Sequence, residues 1–282
     1  AIQHLNCALS IEPSYAEAYF NLGNIYIEMG DLEESVESYQ RALKINPNFL
    51  EVLNNLGSVY KDLNQLDKSL ESLQKALKLN PEYLDALNNV GLAYVELGQI
   101  ELAVDAYNKA ISIDSKYVFA HNNLGIALNL LYQYDEAQKC FEQALQLKPN
   151  YFDAHVNYAN LMIYFDNFDK ALKSYECAIE LNPNADYIYG DIIHTKMYLC
   201  MWNGLPNYLK KLHEKIENGE KVIGPFALSA LSDDPETIFR ATTLYRNDKF
   251  PKSNILPQIP QYPYHKKIQI GYFSADFRDH PV

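Results

Sequence analysis

Cationic residues are in short supply in this chain: 24 Lys and Arg stand against 36 Asp and Glu, a formal net charge of −12. Nucleic-acid binding draws most of its affinity from cations on phosphate, so the deficit, with no basic run to relieve it, argues against a nucleic-acid partner. Long apolar runs are missing too. The stretch from Leu124 to Leu131 is broken by Gly125 and Asn129. It falls well short of the roughly 20 residues a membrane-spanning helix needs, so no membrane span is expected. The four cysteines (Cys7, Cys140, Cys177 and Cys200) show no Cys-x-x-Cys spacing, which argues against a disulfide frame and reads as buried thiols of a cytoplasmic protein.

What the chain does have is a period. Asn21-Leu22-Gly23, Asn55-Leu56-Gly57, Asn89-Val90-Gly91, Asn123-Leu124-Gly125 and Asn157-Tyr158-Ala159 recur every 34 residues. Ala8, Ala42, Ala76, Ala110, Ala144 and Ala178 keep the same beat, as do Pro13, Pro47, Pro81, Pro149 and Pro183, with Ser115 in the slot of the missing proline. Several independent positions agreeing on a 34-residue unit resemble the tetratricopeptide repeat, which implies an all-α solenoid of stacked helix pairs.

The units are expected at 16–49, 50–83, 84–117, 118–151 and 152–185. In the first, Ala18, Tyr19, Leu22 and Tyr26 form the i, i+3, i+4, i+7 stripe of a half-buried helix. Gly23 and its equivalents lie inside that stripe, where glycine costs about 1 kcal/mol of helix propensity relative to alanine. The repetition suggests close packing, with Ala42 and its equivalents as the small partner on the second helix. Gly30 and Gly98 fit left-handed helix ends. Asp67, Glu101, Asp135 and Asp169 suit the positive start of the second helix, and the prolines after Asn46, Asn80 and Asn182 end it.

Before the first unit, 1–15 reads as the second helix of a truncated repeat. Beyond the last, 186–249 is expected to be a degenerate helical cap with transition helices: Tyr187 to Met201, Leu205 to Ile216 closed by Asn218-Gly219, and Thr237 to Arg246 launched by Ser232-Asp233-Asp234-Pro235-Glu236. Pro251, Pro257, Pro260 and Pro263 make 250–266 a proline-rich linker. The alternation in Lys267-Ile268-Gln269-Ile270-Gly271-Tyr272-Phe273 predicts a β-strand that opens an α/β domain, 267–282. Since the sequence stops inside that motif, it is expected to be a piece of a longer protein.

Helical spacing aligns Asn21, Asn55, Asn89, Asn123 and Asn157 on one face of the first helices, the face that lines the concave side of such a stack. A carboxamide offers a donor and an acceptor, as a peptide group does. A row of them can therefore hold an extended chain by its backbone, and these five are the candidate peptide-binding residues. The alternative is that each is merely solvated or braces its own neighbours. Glu17, Glu28, Glu51, Asp62, Asp85 and Glu96 flank the row, whereas Phe119, Ile126, Leu130 and Tyr164 make its far end more apolar. Changing Asn55, Asn89 and Asn123 to alanine is expected to weaken diverse peptides alike and leave the melting temperature nearly unchanged. His121 and His155 share the fourth position of adjacent units, where two stacked imidazoles are expected and, with no third ligand at suitable spacing, no metal.

The run from Lys267 to Pro281, with Asp276-Phe277-Arg278-Asp279-His280-Pro281, closely resembles the opening strand and loop of the catalytic domain in bacterial protein O-linked N-acetylglucosamine transferases. Tyr189-Gly190-Asp191, Trp202 and Phe226 to Pro235 resemble the same family. The resemblance implies transfer of N-acetylglucosamine from UDP-N-acetylglucosamine to Ser or Thr of acceptor proteins gripped by the repeat groove, with His280 lining the catalytic cleft. The alternative is a non-enzymatic interaction scaffold. As most of the implied catalytic domain would follow Val282, these residues alone are expected to transfer no sugar: incubation with labelled donor and acceptor protein should give background, and turnover would refute the expectation.

Overall fold

Helices of 13 or 14 residues are marginal in water on their own and persist where an amphipathic face is buried. The computed structural model describes residues 1–250 and is assembled on that principle, with fifteen α-helices and no strand among the described residues. Behind α1 (Ile2–Ile11) come five helix pairs: α2 (Ala16–Met29) with α3 (Leu32–Ile45), α4 (Leu50–Asp62) with α5 (Leu66–Leu79), α6 (Leu84–Glu96) with α7 (Ile100–Ile113), α8 (Val118–Leu130) with α9 (Tyr134–Leu147), and α10 (Phe152–Tyr164) with α11 (Phe168–Leu181). They are followed by α12 (Ile188–Tyr198), α13 (Leu205–Glu217), α14 (Pro225–Ser229) and α15 (Pro235–Lys249). The proline-rich stretch from 251, the strand expected at 267–273 and His280 lie outside the described residues.

Within a pair, the small residue of the first helix faces a large one, not the alanine that the sequence suggested. Tyr39, Leu73, Tyr107 and Phe141 lie across Gly23, Gly57, Gly91 and Gly125; a Cβ on Gly57 would fall 2.5 Å from Leu73 Cγ, and one on Gly125 2.6 Å from a Phe141 ring carbon. A broad side chain thus fills the space where a methyl would stand. Ala42 and Ala76 are fully buried in clusters that run on into the next unit's first helix.

The turn between the helices of a pair is left-handed in every unit. Gly30 and Gly98 take it as expected, at φ 80° and 71°, and Asn64, Tyr132 and Asp166 take it at 56°, 61° and 55°. Gly and Asn tolerate that region; a bulky Tyr there is unusual. At the far end of four of the five second helices, the side-chain oxygens of Asn46, Asn80, Asp114 and Asn182 accept from the N–H two residues on, at 3.2, 3.0, 2.8 and 3.2 Å, whereas α9 ends at Lys148. These local turns redirect the chain into the next unit.

Two expectations are corrected by the contacts. His121 and His155 do not stack. Each donates from Nε2 to the carbonyl of the preceding turn, Ser115 and Pro149 respectively, both at 2.9 Å, so each ring is held by its own unit's backbone. The thiols are not uniformly buried: Cys7 and Cys200 are exposed, while Cys140 and Cys177 are half-buried and burial pushes Cys140 up to about 11.

First helices of successive units touch directly, α4 with α6, α6 with α8 and α8 with α10. No two second helices are in comparable contact among the described residues. The first helices therefore form the inner line of the solenoid. Beyond α11 a separate cluster of Ile193, Leu212, Ile216, Val222, Ile223, Leu228 and Ala241 holds α12 to α15 together. The segment after α13 lies against the start of α12, with Tyr187 N–H donating to the Lys221 carbonyl at 2.6 Å and Gly190 N–H to that of Val222 at 2.8 Å. Asp234 caps α15 by accepting from Thr237 N–H at 2.9 Å, ahead of Pro235. At its other end Asp248 accepts from Lys221 at 2.5 Å and the Tyr187 hydroxyl at 2.8 Å, which hold its carboxyl down at about 2.

The buried tyrosines reveal one mismatch. Tyr39 and Tyr175 each donate to an asparagine fifteen residues earlier, Asn24 and Asn160, both at 2.5 Å. Phe141, which needs no partner, has Ile126 at that position. Tyr107 has Leu92 there, and its hydroxyl is buried with no partner, while burial raises its phenol well above the usual range. Since an unpaired buried hydroxyl costs about 1–3 kcal/mol, Tyr107→Phe is expected to raise the urea midpoint or leave it unchanged; a clear loss of stability would show that the hydroxyl has a partner.

Candidate peptide-binding groove

Asparagine on a helix surface is free to rotate unless something holds its carboxamide. Here the inner line of helices holds most of them. Asn21, on α2, is exposed, while Asn55, Asn89, Asn123 and Asn157 are half-buried. Nδ2 of Asn89 donates to Oδ1 of Asn54 at 3.0 Å, Asn123 to Asn88 at 2.8 Å, and Asn157 to Asn122 at 3.0 Å. In the second unit Asn55 donates instead to Asn24 Oδ1 at 3.2 Å, the same atom that accepts from the Tyr39 hydroxyl. The structure thus brings four of the five candidate residues into carboxamide bridges that link first helix to first helix, in two runs, Asn24–Asn55–Asn54–Asn89 and Asn88–Asn123–Asn122–Asn157.

Asn54, Asn88 and Asn122 were not singled out from the sequence. They are only 6%, 9% and 2% exposed, and a buried carboxamide must find partners. The signal that could have found them is the doublet Asn54-Asn55, Asn88-Asn89, Asn122-Asn123, in which the first member of one doublet meets the second member of the next. Asn89 and Asn157 each commit one donor to a neighbour and keep a second N–H and the carbonyl oxygen for a ligand, whereas the oxygens of Asn55 and Asn123 already accept from Asn54 and Asn122 at 3.3 and 3.1 Å and keep one lone pair each.

The six flanking carboxylates, Glu17, Glu28, Glu51, Asp62, Asp85 and Glu96, are all exposed. Lys61 partly offsets them, at 2.7 Å from Asp62 and 3.5 Å from Glu96, and the Tyr117 hydroxyl donates to Asp85 at 2.7 Å. Farther along, a cavity of about 460 Å³ opens between α8 and α10, lined by Ile126, Leu130, Tyr132, Tyr134, Asn157 and Tyr164 among others. The Tyr134 and Tyr164 rings lie 4.2 Å apart, and Tyr132 meets Tyr134 edge-on at 6.1 Å. Among the described residues no three His, Cys, Asp or Glu side chains converge as a metal ion would require. No helix there is long and apolar enough to cross a membrane.

A family model described as the TPR repeat matches residues 1–30, 23–64, 58–98 and 91–131, and one described as the tetratricopeptide repeat matches 118–151, so that the two together span 1–151 of the 282 residues. Similar solved structures include PilF of Pseudomonas aeruginosa, 21% identical over 71% of this chain and 90% of that one with a TM-score of 0.63. PilW, a type IV pilus biogenesis factor, is 19% identical over 77% and 98%, with a TM-score of 0.64. A thermophilic TPR protein of Thermus thermophilus is 24% identical over 66% and 99%, with a TM-score of 0.57. At these identities the likeness is one of fold. Comparison with curated proteins gives no significant match.

The bridges change what alanine substitution in the row would do. Asn89→Ala leaves the buried Asn54 oxygen without its donor, and Asn123→Ala does the same to Asn88. At about 1–3 kcal/mol for each unsatisfied buried acceptor, the double variant is expected to unfold at distinctly lower urea, contrary to the thermally silent outcome the sequence suggested; an unchanged midpoint would mean that the bridges do not form.

Proposed function

We propose that this chain, which belongs to the tetratricopeptide repeat family, is a protein-interaction scaffold whose concave groove holds an extended polypeptide by its backbone. The observation that carries the reading is the row of carboxamides along the inner helices, oriented in advance by bonds from unit to unit. Preorientation matters because side chains that are already ordered lose less freedom on binding. Each carboxamide matches the donor and acceptor of a peptide group, so the grip is largely indifferent to the partner's side chains.

A second, finer reading is favoured by one specific observation, the resemblance of Lys267 to Pro281 to the opening of a protein O-linked N-acetylglucosamine transferase domain. On that reading the groove presents acceptor proteins to a domain that transfers N-acetylglucosamine from UDP-N-acetylglucosamine to Ser or Thr, with His280 in the cleft. His280 lies outside the described residues, and this reading rests on sequence alone.

The grip can be tested without disturbing the bridges. In protein labelled at asparagine, the side-chain amide resonances of Asn55, Asn89, Asn123 and Asn157 are expected to shift on titration with unrelated extended peptides, the same set moving whatever the peptide sequence. Resonances that stay still while peptide binds would leave the row as bracing only.

A further inference from the structure

The two ends of the groove differ in chemistry. Along α2, α4 and α6, exposed carboxylates flank the asparagines. At the matching places on α8 and α10 stand Phe119, Leu130 and Tyr164, with Asp153 the one carboxylate retained. There the floor drops into the cavity of about 460 Å³, lined by Asn129, Asn157 and Asn160 beside aliphatic and aromatic side chains, of which Phe141 and Leu161 are buried. That volume falls within the range of sites that take a small molecule or a bulky side chain. Leu130 is 47% exposed, Tyr164 61% and Tyr132 78%, so the walls are bare.

Tyr132 adds a separate indication. Its backbone is left-handed at φ 61°, in the turn where other units place Gly30, Asn64, Gly98 and Asp166. A tyrosine there is held against its own conformational preference, a situation that recurs at ligand clamps. The result is a ring set edge-on to Tyr134 at the cavity rim.

On the reading that the groove holds extended chains, we infer that this cavity is an anchor subsite for one aromatic side chain of a cationic partner segment, whose Lys and Arg residues lie along the carboxylates of α2, α4 and α6. Opposite charge selects the segment, and burial of an aromatic ring among Ile126, Leu130 and Tyr164 sets its register. Neighbouring first helices pack about 10 Å apart, and an extended chain covers about 3.3 Å per residue. The aromatic residue therefore stands roughly three to six residues from the nearest basic ones.

A labelled peptide of Gly, Ser and Thr with a central Phe and a Lys pair four residues to either side serves either chain direction. Anisotropy is expected to show it binding roughly tenfold more tightly than its Phe→Ser counterpart, the effect of burying about half a ring, and both peptides should weaken as salt is raised. In Leu130→Ser protein the advantage of Phe should vanish while the Ser peptide binds as before; Tyr164→Ser, at a second exposed wall, is the parallel variant, and circular dichroism verifies the fold of each. Equal binding of Phe and Ser peptides would overturn the anchor and leave the groove reading intact. A peptide with Glu in place of Lys that binds as tightly would overturn the cationic partner. If none of the peptides binds, the groove reading falls, and the anchor with it.

Discussion

A single helix pair of 34 residues cannot cover its own apolar side, and the rest of the molecule follows from that deficit. Each pair borrows cover from the next. Leu53, Leu73 and Ala76 of one unit share a buried cluster with Ala86 and Val90 of the following one, and from Leu87 to Ile192 a continuous cluster spans three units and enters α12. Large residues over small ones, Tyr39 over Gly23 and Phe141 over Gly125, set the approach of the two helices inside a unit. Stacking between units then lines up whatever the first helices carry on their far side.

What they carry is polar, and there the stacking has a second effect. Carboxamides that alternate between buried and half-buried places come within reach of one another from unit to unit. The inner line of the solenoid is thus tied by polar bonds as well as by apolar contact. Side chains fixed in this way hold their orientation before any ligand arrives, which separates a binding surface from a merely wet one.

Much of this was legible in the sequence. The 34-residue beat placed the helix pairs, Gly30 and Gly98 marked left-handed turns, and Asn46, Asn80 and Asn182 marked helix ends. Such features are local, and a residue's own backbone preference reports them. What stayed hidden depends on contacts across units. Asn54, Asn88 and Asn122 matter because each meets a residue thirty-five positions later. Periodicity within one helix cannot reveal that. Tyr132 took the left-handed turn without any of the usual residues to announce it, and α14 is too short to carry a pattern. The histidines were misread because their acceptors are backbone carbonyls, which no side-chain pattern displays.

The bridges join first helices only, and the second helices of successive units are left without comparable contact among the described residues. Mechanically, that puts the polar ties between units along the inner edge, while each second helix packs on the first helix of the next unit, α3 on α4, α5 on α6 and α7 on α8. On the reading proposed above, a guest chain laid along that edge would meet carboxamides at a regular interval set by helix packing, about 10 Å, as evenly spaced as the marks on a ruler.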